Sequence, residues 1–258
     1  MASKMIKSIA IFLLVNLINS SIYISSFASE IETNQDVQKK EYVIVLHGVA
    51  RSNSSMDKVA TSIAKNEPKF EVHNIDYEST YYSFEELVDK LHKDITKVRT
   101  NKKMKINFVG YSMGSLMIRY YIQKYRPENL GRVVMLAPPN KGSEAADFFK
   151  DNILFKEIFG EAGQKMGTKE DSIIHQLKEA DFELGIIAGD RSVDPISSFV
   201  IPGPDDGKVA IDKTKIKGMK EHIIIHTSHT FIIYNDNAIR QTIFFLKNGR
   251  FDNANNKR

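Results

Sequence analysis

The sequence predicts an α/β fold: a mostly parallel, doubly wound sheet with helices on both faces. Three observations predict it. Short apolar runs rich in β-branched residues alternate with stretches of helical periodicity from Tyr42 to about Leu246, the order that builds βαβ units through right-handed crossovers. The runs around Val45, Phe108, Val134 and Ile187 are apolar almost throughout rather than alternating, as strands buried on both faces must be. Each run stops at glycine, proline or a cluster of small polar residues, where a chain can turn.

The composition agrees. With 258 residues, 42% hydrophobic and 26% charged, the chain suits one domain with an ample core and does not read as disordered. Its first 28 residues stand apart. Lys4 and Lys7 precede an apolar run from Ile9 to Ile18, and Ser26-Phe27-Ala28 places small residues before a cleavage point. This reads as a signal peptide, so an exported protein, periplasmic or secreted, is expected. The apolar core is shorter than the ~20 residues a spanning helix needs. There is no cysteine, hence neither a lipidation site nor a disulfide, and stability rests on the core. Without the first 28 residues, 34 basic residues face 32 acidic ones, a net +2. No basic stripe with interleaved aromatics stands out, so nucleic acid is not an expected partner.

Residues 29–40 show no periodicity and form a linker to the domain expected over 41–248. Glu41 to Leu46 is the first strand and runs into His47-Gly48. Met56, Val59, Ala60 and Ile63 share one helix face, and Phe70 to Ile75 makes a second strand. Ser83 ahead of Glu85 and Glu86 is an N-cap with acids in the first turn, and Leu87, Leu91, Ile95 and Val98 carry that helix to about Thr100. A strand from Ile106 and a helix through Leu116, Met117, Tyr120 and Tyr121 follow, closed by Pro127. Arg132 to Ala137 is the next strand, stopped by Pro138-Pro139.

From 140 to 180 the alternation breaks. A structureless loop of that length is improbable inside a domain, and Phe148, Phe149, Phe155 and Phe159 cluster there, so the segment is expected to be a helical cap inserted over the site. Leu184 to Ala188 resumes the sheet, a loop rich in Pro, Gly and Asp reaches Val209, and His222 to His226 is the last strand. Ala238, Ile239, Thr242, Ile243 and Leu246 mark the closing helix, and the polar tail over 249–258 is expected to fray.

The stretch that organises the chain is Ile106 to Arg119, an apolar strand and an amphipathic helix joined by Gly110-Tyr111-Ser112-Met113-Gly114. Gly-x-Ser-x-Gly is common by chance; its weight comes from this context. A turn so sharp lifts the serine hydroxyl clear of the backbone, needs glycine on either side, and aims a helix N-terminus at whatever reacts there. Ser83 and Ser115 lack the setting and read as capping or surface hydroxyls. A serine nucleophile needs an imidazole to take its proton, and the imidazole needs a carboxylate to fix its tautomer. In the order Ser112, Asp206, His229 the chain offers all three, each beyond the end of a predicted strand. Asp205 beside Asp206, and Asp190 directly after its strand, are the alternatives for the acid. His226 reads as a core residue, His47 as a residue that orients the loop behind it, and His73, His92, His175 and His222 as surface residues.

On four pieces, Leu46-His47-Gly48-Val49, the elbow Gly110 to Gly114, Asp206-Gly207-Lys208-Val209 and Ser228-His229-Thr230, residues 41–248 resemble the α/β-hydrolase superfamily and, within it, bacterial lipases and esterases. The resemblance implies that Asp206 in an Asp-Gly-x-Val segment carries the triad acid and that His229 sits in a loop before the last helix. It also implies an oxyanion hole from the backbone N–H groups of Val49 and Met113. No metal or cofactor is expected. The expected function is an exported serine hydrolase cleaving carboxylic esters, with a small-molecule or lipid ester as substrate and transient contact with a lipid interface. The same triad also serves a thioesterase, an acyltransferase or a peptidase. A non-catalytic binding protein of this fold would leave the intact Ser, acid and His without a purpose.

Overall fold

The computed structural model describes residues 40–255; the signal peptide expected over 1–28 and all but the last residue of the linker expected over 29–40 lie outside the described residues. Six strands, β1 (Glu41–Leu46), β2 (Phe70–Ile75), β3 (Ile106–Tyr111), β4 (Leu130–Leu136), β5 (Leu184–Gly189) and β6 (Glu221–Ile225), form one sheet in the order β2-β1-β3-β4-β5-β6. Every pairing is parallel. The order reverses between β1 and β3, so the crevice at the carboxyl ends of these two strands is where such a sheet takes a ligand.

Period-two alternation divides the core. Tyr42, Ile44 and Leu46 of β1 join a cluster with α2 (Phe84–Val98) and α3 (Met113–Tyr125), while Val43 and Val45 pack on the other face against α1 (Asp57–Asn66) and α8 (Asp236–Asn248). β3 is buried along its whole length, which explains why its sequence shows no polar face. α2 begins where the sequence places it: the Ser83 side chain accepts from the Glu86 amide and the Glu86 carboxylate accepts from Ser83.

The segment between β4 and β5 folds into α4 (Glu144–Phe149), α5 (Ile153–Gln164) and a 3-10 turn at Ile173–Gln176. Its two ends meet on one side chain. Arg119, on α3, is 6% exposed and donates from Nη1 to both Asn140 O and Asn140 Oδ1 at 3.1 Å, and from Nη2 to Lys178 O at 2.9 Å and Leu177 O at 3.4 Å. Burial alone lowers its pKa to about 10, and no carboxylate pairs with it among the described residues. Asn140 in turn donates to Thr214 O at 2.7 Å in α7 (Ile211–Thr214), which follows α6 (Pro195–Val200) and the turn at Asp206.

Three expectations are corrected. The tail does not fray at 249: Phe251 is fully buried, its ring centroid 4.9 Å from that of Phe245, and its amide donates to Glu221. One large aromatic side chain outweighs the polar residues around it. Ser115 is buried and donates to Gly110 O at 2.9 Å, the back-bond available to a serine early in a helix. His222 is half-buried, its Nε2 2.8 Å from Thr214 Oγ1, and burial lowers its pKa to about 4. Because the Thr214 hydroxyl already donates to Ile211 O, Nε2 of His222 carries the proton of that contact.

Candidate active site

Ser112 sits between β3 and α3 with φ 52° and ψ −120°, a region other residues avoid and active-site turns use. The flanking glycines are forced by close approach. A Cβ on Gly110 would lie 2.6 Å from Ile118 Cδ1 and 2.7 Å from Ser115 N, and one on Gly114 would lie 2.5 Å from His47 O at the end of β1. The elbow is thus wedged against its own helix on one side and the neighbouring strand on the other. The Ser112 amide donates to Leu136 O at 2.9 Å, which ties the turn to β4.

The structure brings Ser112, His229 and Asp206 together. His229 Nε2 lies 3.0 Å from Ser112 Oγ, and His229 Nδ1 lies 2.8 Å from Asp206 Oδ2. A carboxylate only accepts, so Nδ1 bears the proton and Nε2 turns its lone pair toward the hydroxyl. Asp206 is 1% exposed; its other oxygen, Oδ1, accepts from the amides of Lys208 at 3.0 Å and Val209 at 2.8 Å, and Gly207 turns between them at φ +95°. The backbone doubles the link, since the His229 amide donates to Asp206 O at 2.8 Å.

The rival acids point elsewhere. Asp205 Oδ1 accepts from the Gly207 amide at 2.6 Å and from Ser198 Oγ at 2.7 Å. Asp190 pairs with His226 at 2.9 Å. His226 is therefore no core residue: its side chain is 72% exposed, because β6 is the sheet's edge and the residue lies just past its end.

Two further residues hold this corner, and only the first was read as doing so in the sequence. His47 is fully buried, with Nδ1 2.8 Å from Gly48 O and Nε2 3.2 Å from the Tyr77 amide. Nδ1 thus donates and Nε2 accepts, and burial lowers the ring's pKa. Asp76 Oδ1, on a side chain 59% exposed, also lies 3.1 Å from Nε2 and opposes that lowering. Fixing Gly48 O fixes the Gly48–Val49 peptide plane and with it the Val49 N–H. Tyr111, inside the elbow, is buried and donates from its hydroxyl to His229 O at 3.1 Å; a tyrosine in a run otherwise apolar was the signal for it. Among the described residues neither the Val49 nor the Met113 amide has a protein acceptor, and Met113 opens α3, where first-turn amides lack intrahelical partners.

Over this corner lies a cavity of about 640 Å³, within the range of small-molecule sites. Gly48, Tyr111, Ser112 and His229 form its floor, and Ala145, Ala146, Phe149, Ile158, Phe159 and Met166 of the 140–180 segment form apolar walls. Ser143, the N-cap of α4, donates to Lys208 O at 2.6 Å, which joins this wall to the Asp206 turn. Among the described residues no group of His, Cys, Asp and Glu has the makings of a metal site.

The solved structures most like this fold include the lipase BlEst2 of Bacillus licheniformis in its mature form, at TM-score 0.68 and 18% identity over 81% of this chain and 92% of that one. Phospholipase PlaB of Legionella pneumophila is similar at TM-score 0.66 and 12% identity, over 82% of this chain and 60% of that one. Both share the α/β-hydrolase fold. In sequence, a lysosomal thioesterase PPT2 homolog of Drosophila melanogaster is 27% identical over 119 residues, 45% of this chain and 41% of that protein; the match spans less than half of that relative's length. Residues 42–180, from the first strand through the elbow to the end of the cap, match palmitoyl protein thioesterase. That is more than half of the chain, and on it the chain belongs to the palmitoyl protein thioesterase family of α/β-hydrolases.

Proposed function

We propose that the protein is a serine hydrolase that releases fatty acyl groups from thioesters or oxygen esters through an acyl-enzyme, with Ser112, His229 and Asp206 as its triad. The observation that carries this reading is the unbroken relay of contacts, 3.0 Å from Ser112 Oγ to His229 Nε2 and 2.8 Å from His229 Nδ1 to Asp206 Oδ2.

In this reading Ser112 Oγ attacks the acyl carbonyl while its proton passes to His229 Nε2, and buried Asp206 holds the resulting imidazolium. The carbonyl oxygen gains negative charge between the amides of Val49 and Met113, a term worth about 3–4 kcal/mol per donor. Collapse expels the thiol or alcohol, protonated from His229; water, deprotonated by the same ring, then releases the acid and restores Ser112. The apolar walls of the cavity suit an acyl chain. The family and the name of the fly relative favour thioesters, and the likeness to lipases keeps oxygen esters in the panel.

The test is a matched pair, a thioester and an oxygen ester of one acyl chain, with intact-mass detection of the acyl-enzyme. Accumulation of a species heavier by one acyl group in the wild type, and its absence in Ser112→Ala, is the expected result. Steady turnover by Ser112→Ala would overturn the reading. Export through residues 1–28 belongs to the same proposal, and an N-terminus beginning at Ser29 in protein recovered outside the cytoplasm would support it.

A further inference from the structure

A second cleft, of about 740 Å³, opens beside the catalytic cavity, and Ala50, Arg51 and Ile158 line both. Its character is different. Where the catalytic cavity is walled mostly by hydrocarbon, the cleft adds to its tyrosines the hydroxyls of Ser52, Ser54, Ser79 and Thr80 and the carboxylates of Asp76 and Glu78. An ester bound at Ser112 has two halves that leave the scissile carbonyl in different directions. A polar half put among Phe149, Phe159 and Met166 would lose its water without replacement. The acyl half therefore belongs in the cavity and the leaving half in the cleft.

The charges of the cleft narrow the leaving half further. Glu78 pairs with Lys90 at 3.4 Å, and Asp76 Oδ1 accepts from the Asn53 amide at 2.9 Å and lies 3.1 Å from His47 Nε2. Arg51, two residues beyond Val49 at the junction of the two spaces, is half-buried and pairs with no carboxylate among the described residues. Its guanidinium lies 5.8 Å from the centroid of the Tyr111 ring and has that tyrosine's hydroxyl as a hydrogen-bond partner, which occupies only part of a fork of five donors. Such a fork matches the two oxygens of a carboxylate or phosphate, and does so best where water is partly excluded.

We propose that this cleft is the leaving-group subsite and that Arg51 selects esters whose thiol or alcohol carries an anionic group, carboxylate or phosphate, close to the scissile bond. This rests on the serine hydrolase reading for its orientation and predicts a preference that reading does not contain.

The test compares S-decanoyl 3-mercaptopropionate with its neutral amide, which share acyl chain and thioester and differ in one charge. Two measurements are made on each: kcat/KM with the wild type, and the Kd of the intact ester on Ser112→Ala, which needs no turnover. The carboxylate is expected to be preferred about ten-fold in both. Arg51→Gln should lower kcat/KM for the carboxylate about ten-fold more than for the amide, mostly through KM, and Arg51→Lys should recover part of the difference. A second pair, 1-decanoylglycerol 3-phosphate against 1-decanoylglycerol, separates a phosphate from a carboxylate source by which of them shows the larger preference. Equal values for charged and neutral partners in both pairs, or an Arg51→Gln loss that is the same on each, overturns the subsite. A Kd preference without any turnover supports the subsite and removes the hydrolase reading instead.

Discussion

Two histidine–aspartate pairs stand at neighbouring strand ends of this molecule, and they are almost the same in length. His229 Nδ1 and Asp206 Oδ2 are 2.8 Å apart; His226 Nδ1 and Asp190 Oδ1 are 2.9 Å apart. Their surroundings differ in every other respect. The first pair has side chains 11% and 1% exposed, the second 72% and 31%. Asp206 accepts two backbone amides besides its histidine, whereas His226 stands in solvent, where an ion pair contributes ~0–1 kcal/mol and is screened by salt. Only His229 has a hydroxyl on its far nitrogen. A short contact between imidazole and carboxylate is thus no sign of a site. The burial of the acid and the third group beyond the ring distinguish the two.

Mutating corresponding members of each pair sharpens that contrast. The largest effect is expected at His229→Ala, a fall in kcat of about 10³–10⁴ on a decanoyl thioester, with His226→Ala within about two-fold of wild type; equal losses would break the comparison. Asp206→Asn is expected to lower kcat by about 10²–10⁴ because the amide no longer fixes the tautomer, while Asp190→Asn leaves the rate within about two-fold. Reversal of those two results would move the acid to Asp190.

Smaller effects are expected on stability, away from both pairs. Arg119→Met should lower the free energy of unfolding by about 2–4 kcal/mol, since four carbonyl contacts, two of them buried, lose their donor, read as a lower urea midpoint. His222 is expected to contribute least. Burial holds its pKa at about 4 against an ordinary 6.5, so the unfolded chain takes up the proton first. The stability this confers is full above about pH 6.5 and is lost as pH falls toward 4. Between pH 7 and 5 the loss should be about 1–2 kcal/mol, discounted for partial exposure, and His222→Asn should flatten that part of the curve in urea titrations.

What was legible in the sequence follows from these contrasts. Every strand could be placed within two residues, the inner ones because a parallel sheet covered on both faces leaves nearly unbroken apolar runs. Ser112 was legible because a strained elbow needs its glycines locally. The tie of Asp206 to His229 was readable only as an order of residues, and the roles of Asp190 and Asp205 stayed open, since which carboxylate faces which ring is decided by loop geometry across the sheet. His226 was misread because nothing in a chain announces that its last strand is an edge. Arg119 and Arg51 gave no signal: a cation facing backbone carbonyls, or one with no carboxylate beside it, has no partner spacing to find. Phe251 was overlooked because composition averages over the one side chain that docks.

Arg119 gathers residue 140 and residues 177–178 on a single guanidinium attached to the helix that begins at Ser112. The insertion is therefore closed at its base like a purse, and any opening of the wall above the catalytic corner must bend its middle, where Gly160 already adopts φ +60°, rather than swing the whole. Exchanging residues 144–165 for a different span, with the drawstring left intact, would resize the cavity without disturbing the elbow beneath it.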